Sequence, residues 1–178
     1  DEYYFFGGED YELVFSLPKK WAKNLSKLKT DINEIGFFAD GAPSIELRID
    51  RLERLKSLIM DNRYDFVETL NSDFGNRSKN TSMLSDVYGI MPAINLAIKN
   101  VKKWSKDEKK SSNFPFGLLG AKSYIRYEPL GTVGMISPWN FPVNLAFVPL
   151  VSIFAAGNQV MHKPSEHTPL TSALLKDL

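Results

Sequence analysis

The sequence predicts an α/β fold in which the last third of the chain opens a parallel β-sheet. A short apolar run, Thr132–Ile136, is typical of a buried strand, and a helical run follows at residues 143–156. Gly157 and Asn158 end that helix, and residues 159–162 form a second short strand. Strand, helix and strand in this order begin a βαβ unit. Because ligands of open parallel sheets bind beyond the carboxyl ends of the strands, the two polar turns after these strands are the candidate site.

Two amphipathic helical patterns precede this unit. From residue 45 to residue 70, apolar residues recur at helical spacing, and Asp61 and Asn62 can interrupt the stripe. A second stripe runs from residue 84 to residue 101, and Pro92 within it is expected to kink or divide the helix. The polar loop 71–80 between the two patterns contains Arg77, which we expect to be solvated.

Residues 99–110 are rich in lysine, but Trp104 is their single aromatic residue. A surface that binds nucleic acid would carry stacking aromatic residues and arginines, so we expect a solvated helix end here. A connector containing glycine, proline and serine follows at residues 111–120. Residues 123–127 then alternate as a strand.

The composition indicates a packed globular protein and excludes several kinds of site. Hydrophobic residues make up 43% of the 178, and 22 basic residues nearly balance 21 acidic ones, so neither nucleic acid nor a membrane is expected as a partner. With no cysteine and two histidines, the chain is expected to hold neither a disulfide nor a metal. Residues 1–30 lack the pattern of a signal peptide, and the most apolar run is too short to span a bilayer. The cytoplasm is therefore the expected location.

Residues 1–41 read differently from the rest. The sequence GGEDYELVF at residues 7–15 predicts a glycine turn before a strand, Pro18 is expected to open a helix over residues 19–28, and residues 32–38 are predicted to form another strand. GGEDYELVF resembles a motif of thiamine-monophosphate kinases, in which its first glutamate, here Glu9, contacts the thiamine phosphate. The kinase's metal-binding aspartate motifs are absent, and so short a segment cannot bind ATP. We interpret residues 1–41 as a fused strand-helix-strand segment without kinase function, the alternative being that GGED is merely a turn.

Two motifs separated by one helix and one strand carry a second resemblance. PWNFP occupies residues 138–142, and KPSE occupies residues 163–166 after AAGN. This pair resembles the start of the cofactor domain of the aldehyde dehydrogenase superfamily. DFGNRS at residues 73–78 and YEPLG at residues 127–131 resemble its coniferyl-aldehyde-dehydrogenase-like members. The resemblance runs from about residue 42 to residue 178. It implies N-terminal helices with an oligomerisation-type strand at residues 42–130, and an incomplete, truncated Rossmann-type parallel sheet at residues 131–178.

The resemblance assigns a role to each motif. Asn140 would donate a hydrogen bond from its neutral amide to the oxyanion that forms on the aldehyde, the alternative being that Asn140 caps the following helix. Glu166 would accept hydrogen bonds from the ribose hydroxyls of a dinucleotide, with Lys163 as a donor beside it, although KPSE by itself is an ordinary turn. His162 replaces the apolar residue usual before KPSE and is expected to affect only local packing. The residues expected to line the cofactor cleft are Ile136, Ser137, Pro138 and Trp139.

The implied reaction is the oxidation of an aldehyde to a carboxylic acid through a thiohemiacetal and a thioester. The implied cofactor is NAD, with NADP possible, because the Glu166 carboxylate would repel a 2′-phosphate. The family's cysteine nucleophile and general-base glutamate lie beyond KPSE, so a chain without cysteine is not expected to catalyse by itself. The complete enzyme is expected to be a homo-oligomer. The alternatives are a non-catalytic interaction or structural module, or the remnant of a thiamine-monophosphate kinase fusion.

Overall fold

The computed structural model describes residues 3–7, 15–18, 33–37, 43–112 and 114–178, the first three ranges by their backbone. The chain divides into two compact units, Asp1–Ala42 and Pro43–Leu178. In the first unit, β1 (Tyr3–Gly7) pairs antiparallel with both β2 (Phe15–Pro18) and β3 (Asn33–Phe37). The strand predicted at residues 32–38 is confirmed, and Pro18 is the last residue of β2. Glu9 and the helix predicted over residues 19–28 lie outside the described residues.

The second unit contains six helices and four strands among its described residues. The helices are α1 (Ile45–Asp61), α2 (Arg63–Asp73), α3 (Lys79–Ser82), α4 (Met91–Trp104), α5 (Asn144–Ala155) and α6 (Pro169–Asp177). The strands are β4 (Glu108–Lys110), β5 (Ser123–Ile125), β6 (Thr132–Ile136) and β7 (Gln159–Lys163). A π-helical turn, Met83–Val87, and a 3₁₀ turn, Tyr88–Ile90, lead into α4. The predicted α/β class is confirmed by this order.

One apolar core joins the helices of the second unit. The predicted stripes supply it, because α1, α2, α4 and α5 turn their periodic apolar side chains toward one another. Phe66 of α2 and Phe147 of α5 meet edge to face, with ring centroids 5.6 Å apart. The fully buried side chains of this core include Leu52, Ile59, Phe66, Leu70, Ile90, Ile94 and Val101. The core fixes α5 against the N-terminal helices and thereby positions the sheet that α5 connects.

The helix boundaries follow the predictions in some places and depart from them in others. α1 ends at Asp61, where the sequence predicts an interruption. Pro92 lies in the first turn of α4, where a missing N–H costs no hydrogen bond, so the proline divides the predicted stripe at the start of α4 and does not kink that helix. The loop predicted at residues 71–80 is shorter, since α2 reaches Asp73 and α3 begins at Lys79.

The two small sheets of this unit differ in direction. β6 and β7 are parallel, as the βαβ order predicts, with Thr132 opposite Gln159 and Ile136 opposite Lys163. β4 and β5 are antiparallel. The solvated helix end predicted for residues 99–110 is therefore wrong for residues 108–110, because α4 ends at Trp104 and the lysine-rich segment pairs with β5.

The turn between α5 and β7 requires glycine. Gly157 has φ +84°, and a Cβ atom there would lie 2.7 Å from the guanidinium of Arg48. Arg48 is itself buried and donates to the carbonyl of Pro43 at 3.1 Å. Within the described part of the chain, no helix combines the length and the apolar character that crossing a membrane would require.

Candidate functional site

The two polar turns leave the sheet at the same edge. Ile136 and Lys163 are opposite each other at the carboxyl ends of β6 and β7. The ladder continues one residue further, because the N–H of Ser137 donates to the carbonyl of Lys163 at 3.1 Å. The turns 137–142 and 163–166 therefore start side by side, at the edge where parallel sheets bind ligands.

Ser137 and His162 link the two strands through their side chains. Ser137 is 3% exposed, and its Oγ lies 2.7 Å from Nε2 of His162. Burial lowers the pKa of His162 below its ordinary value, so the ring favours its neutral form. His162 therefore makes a specific polar contact below the turns, which goes beyond the effect on local packing expected from the sequence.

Asn140 lies on the exposed side of the first turn. Its carbonyl accepts a hydrogen bond from Nη1 of Arg77 at 3.2 Å, whereas its side-chain amide bonds to none of the described residues. The N-cap position of α5 is Val143, and the Asn140 side chain accepts none of the N–H groups at the start of this helix. The alternative in which Asn140 caps α5 is therefore wrong, and the amide remains available to a ligand. Trp139 beside it is 52% exposed and lies 6.4 Å from the ring of Phe74.

Arg77 lies behind this turn and is not solvated, contrary to the expectation from the sequence. Its Nη2 contacts Oδ2 of Asp86 at 2.6 Å, and the two side chains are 12% and 0% exposed. Its guanidinium carbon lies 4.9 Å from the ring centroid of Phe74 and 5.0 Å from that of Phe141, within the range of cation–π attraction. A loop residue thus forms a buried ion pair directly beneath the PWNFP turn.

Asp86 extends this contact to the start of α5. Its Oδ1 accepts the backbone N–H of Asn144 at 3.3 Å, and the Asn144 side chain donates to the carbonyl of Ser85 at 2.7 Å. Burial raises the pKa of Asp86 above its ordinary value, against the opposing effects of Arg77 and of the Asn144 amide. Keeping the Asp86 carboxylate ionised therefore costs free energy, and two specific partners, Arg77 and the Asn144 amide, stabilise its charge.

The second turn carries an exposed ion pair. Nζ of Lys163 lies 2.5 Å from Oε2 of Glu166, and the side chains are 60% and 70% exposed. The Lys163 ammonium and the backbone amide of Glu166 lower the pKa of Glu166 to about 2, so its carboxylate is ionised at neutral pH. Ser165 anchors the turn from inside, since it is 6% exposed and its carbonyl accepts from the Ser172 hydroxyl at 2.9 Å.

The helix after this turn is attached to the N-terminal helices. Asp73, the last residue of α2, accepts the backbone N–H of Leu170 at 3.0 Å and that of Thr171 at 2.8 Å. These are two of the N–H groups that the first turn of α6 leaves without partners. The second turn is thus held between β7 and a helix that α2 caps.

A large cavity of this unit lies away from the two turns. It is open, has a volume of about 790 Å³, and lies near the amino ends of β6 and β7, among Arg48, Trp104, Tyr127 and Leu130. None of the predicted site residues lines it. The described residues also contain no group of three or more histidine, aspartate or glutamate side chains suited to a metal ion.

The structure brings together some of the predicted residues and adds others. Ser137 and Lys163 share a backbone hydrogen bond, and Lys163 contacts Glu166. Ile136 is 81% exposed on the sheet face away from Met135 and α5, and Pro138 is exposed as well. Sequence reasoning missed Arg77 and Asp86, because their contact depends on tertiary packing. The sequence signal that could have indicated them is a charged pair on either side of a short helix, directly after DFGN.

Two bacterial relatives align with about three quarters of this chain. A probable coniferyl aldehyde dehydrogenase of Caulobacter vibrioides is 48% identical over 138 residues, which cover 77% of this chain and 28% of the relative. The coniferyl aldehyde dehydrogenase of a Pseudomonas species is 45% identical over 138 residues, which cover 78% and 28%. The chain therefore spans 28% of the length of these relatives.

Solved structures share the fold of the second unit. AldH of Staphylococcus aureus, in a substrate-bound state, has a TM-score of 0.69 and 34% identity over 75% of this chain and 29% of its own. GapN of Methanocaldococcus jannaschii, a glyceraldehyde-3-phosphate dehydrogenase complexed with NADP, has a TM-score of 0.63 and 28% identity over 75% and 27%. AldA of P. syringae, an indole-3-acetaldehyde dehydrogenase complexed with NAD⁺, has a TM-score of 0.62 and 26% identity over 73% and 25%. Neighbours of this fold thus bind either nicotinamide dinucleotide.

The sequence pattern of the aldehyde dehydrogenase family matches residues 41–178, which include both polar turns and all the described helices of the second unit. The resemblance carried by PWNFP and KPSE is therefore confirmed. This chain belongs to the aldehyde dehydrogenase family.

Proposed function

We propose that this chain supplies the oxyanion-binding turn and part of the cofactor site of an aldehyde dehydrogenase that oxidises an aldehyde to a carboxylic acid. The observation that carries the proposal is the exposed amide of Asn140, which bonds to no described residue, at the carboxyl edge of β6 and β7 next to the Lys163–Glu166 turn. This arrangement puts a neutral hydrogen-bond donor and an ionised carboxylate at the edge where parallel sheets bind ligands.

Asn140 would act on the charge that develops when a nucleophile attacks the aldehyde carbon. The carbonyl oxygen then becomes an alkoxide, and an amide N–H can donate to it without losing a proton. Removing one such donor in other enzymes lowers kcat by about 10²–10³-fold. The chain has no cysteine, so its own proposed share of the reaction is stabilisation of the oxyanion and binding of the cofactor.

The residues of the second turn fit the ribose of NAD. Glu166 is exposed and ionised, and such a carboxylate accepts hydrogen bonds from two neighbouring hydroxyls. Lys163 is exposed beside it and provides a flexible donor. Ile136, Pro138 and Trp139 are exposed around the first turn and offer apolar surface, while Ser137 holds the two strands together. NAD, when bound, supplies the carbon that accepts hydride from the substrate.

Fluorescence titration with NAD tests the cofactor proposal on this chain. A background variant with Trp21→Phe and Trp104→Phe leaves Trp139 as the reporter, because the chain has 3 tryptophans. We expect saturable quenching with a Kd no weaker than about 1 mM, a loss of quenching in Glu166→Ala, and no loss in the matched control Glu53→Ala on exposed α1 surface. Failure to bind at that concentration, or equal binding by both variants, would contradict the proposal.

The preference for NAD over NADP rests on the same carboxylate. A 2′-phosphate near Glu166 would meet a like charge, and this repulsion would weaken the binding of NADP. We expect NAD to bind more tightly than NADP, and Glu166→Gln to reduce the difference. Tighter binding of NADP by the unaltered chain would contradict this preference.

We further propose that the complete enzyme is a cytoplasmic homo-oligomer. Strand β5 pairs with β4 on one edge, and Tyr124 and Ile125 are partly exposed on it, which supports a contact with another subunit. Analytical ultracentrifugation of the chain and of an Ile125→Pro variant tests the contact. A single monomeric species for both would count against it.

Residues 1–41 carry a separate proposal. We infer that they are a fused segment of different origin, related in sequence to thiamine-monophosphate kinases. Two observations support this: the match to the aldehyde dehydrogenase family begins at residue 41, and the first compact unit of the structure ends at Ala42. Thiamine monophosphate should leave the melting temperature unchanged if the segment has no kinase-like function. A rise that disappears in Glu9→Ala would contradict that interpretation.

A further inference from the structure

One ion pair contacts the chain at two points, one within the PWNFP turn and one just after it. Nη1 of Arg77 donates to the carbonyl of Asn140, and Nη2 of the same guanidinium contacts Asp86 at 2.6 Å. The other oxygen of Asp86 accepts the backbone N–H of Asn144, the first residue of α5. The segment from Asn140 to Asn144 is therefore tied to a single carboxylate–guanidinium unit.

The geometry of this unit leaves the guanidinium little freedom. Its nitrogen atoms lie in one rigid plane, so a contact with Asp86 at Nη2 fixes the position of Nη1. The rings of Phe74 and Phe141, 4.9 and 5.0 Å from the guanidinium carbon, restrict the plane further. The Asn71 side chain donates to the carbonyl of Arg77 at 2.8 Å and fixes the backbone from which the arginine extends.

Stability alone does not account for such a pair. The two side chains are 12% and 0% exposed, and apolar residues of similar volume stabilise a core as well as a buried ion pair does. What apolar residues cannot provide is a directed hydrogen bond to the Asn140 carbonyl. The cost of burying Asp86 is thus coupled to the placement of one backbone group.

We infer that Arg77, held by Asp86, is a positioning residue for Asn140. It fixes the backbone at Asn140 and therefore the point from which the side-chain amide reaches the oxyanion. This inference rests on the proposed function for the role of Asn140, but the contacts themselves are independent of any cofactor or aldehyde. It assigns a task to the loop 74–78, which lies outside both the PWNFP and the KPSE motifs.

Backbone order measured by ¹⁵N relaxation separates positioning from stability. In Arg77→Met, Asp86 remains buried without its charged partner, so we expect the unfolding equilibrium constant to rise by about a hundredfold or more. We also expect the order parameters of the Trp139, Asn140 and Phe141 amides to fall from about 0.85 to below about 0.6. The matched control is Lys79→Met, which removes an exposed pair with Glu68 near the same loop and should change neither quantity.

The double variant Arg77→Met with Asp86→Asn decides between the two roles. The asparagine side chain introduced by the second substitution is neutral and can still accept from Asn144, so most of the stability should return. The order parameters of residues 139–141 should stay low, because no donor reaches the Asn140 carbonyl. Arg77→Lys retains the positive charge but lacks the planar guanidinium with its two donor nitrogens. It should therefore recover stability more fully than the backbone order of residues 139–141.

Recovery of order together with stability in the double variant would overturn the inference, because Arg77 would then act only by neutralising Asp86. Unchanged order parameters in Arg77→Met would overturn it as well. These measurements need neither NAD nor aldehyde. If the chain fails to bind NAD but loses backbone order in Arg77→Met, the proposed function is contradicted and the positioning role is supported. If the chain binds NAD but keeps its backbone order in Arg77→Met, the proposed function is supported and the positioning role is contradicted.

Discussion

The turns 137–142 and 163–166 start from adjacent strands and leave the same edge of the sheet, but they are held in different ways. The first is fixed by buried groups, namely Ser137 at 3% exposure and the Arg77–Asp86 pair beneath Asn140. The second presents an ion pair whose side chains are 60% and 70% exposed, above a single buried serine. The N-terminal helical region therefore holds the first turn directly, but holds the second only through α6, whose start Asp73 caps.

The difference agrees with what each turn is proposed to do. A donor to an oxyanion has to lie within a few tenths of an ångström of its productive position before the reaction starts, because its value depends on preorganisation. A carboxylate that binds ribose hydroxyls can adjust its rotamer as the ligand arrives and loses little by being mobile. In the proposed function, the rigid turn would therefore serve catalysis and the adaptable turn would serve binding.

The largest expected effect is the loss of the buried carboxylate beneath the first turn. Asp86→Ala leaves Arg77 largely buried without its partner, and we expect the free energy of unfolding to fall by about 3–5 kcal/mol. Urea denaturation measures this loss, with an unchanged m-value as the sign that the transition remains two-state.

The chain supplies a matched control for that variant. Asp107 makes a bidentate pair with Arg126, with hydrogen bonds of 2.9 and 2.7 Å, but this pair is exposed. Asp107→Ala removes the same chemistry from a surface site and should have a much smaller effect. Equal losses of stability in the two variants would mean that the buried Arg77–Asp86 pair matters no more for stability than an exposed pair does.

The elements that the sequence predicts well are those set by local pattern. The stripe of α1, the strands β6 and β7 and the helix α5 between them all follow from apolar spacing and from Gly157. Pro92 is expected to kink or divide the helix because it falls within a continuous stripe, and it divides the stripe, since the turns before it are π and 3₁₀. The apolar pattern continues through such irregular turns, so it does not show where an α-helix begins.

The parts of the site that the sequence does not predict depend on contacts between distant residues. Arg77 lies in a polar loop whose composition favours solvent, and only its packing against Phe141, far along the chain, shows its role. In the sequence, His162 is a polar residue in an apolar strand without an evident partner. The structure shows its partner, because Oγ of Ser137 lies 2.7 Å from Nε2 of His162. Likewise, residues 108–110 have weak strand propensity and pair because β5 lies beside them.

A smaller effect is expected at the link between the two turns. The folded chain holds His162 with a lowered pKa, so the unfolded state, with a pKa near 6.5, binds the proton more readily. Stability should therefore be greatest above about pH 6.5 and should fall as the pH is lowered toward the folded-state pKa. Thermal denaturation between about pH 7.5 and about pH 5.5 measures this slope.

Two variants separate the charge of His162 from its hydrogen bond. His162→Leu removes the titrating group, and its stability should depend less on pH over that range than that of the unaltered chain. Ser137→Ala removes the hydroxyl but leaves the histidine buried, so it should lower stability by about 1 kcal/mol and keep the slope. A slope that persists in His162→Leu would assign the pH dependence to other groups.

The smallest effect on stability is expected at the second turn, where the effect on binding should be the largest. Lys163→Ala and Glu166→Ala break a pair that water already screens, so the denaturation midpoint should not move measurably. The same Glu166→Ala variant should lose NAD-dependent quenching of Trp139.

Asp86→Ala should show the opposite behaviour. Its stability should fall by a large amount, whereas its Kd for NAD should change little while the chain remains folded. A large stability loss in Glu166→Ala would mean that both turns are structural, and the division between a rigid turn and an adaptable one would not hold.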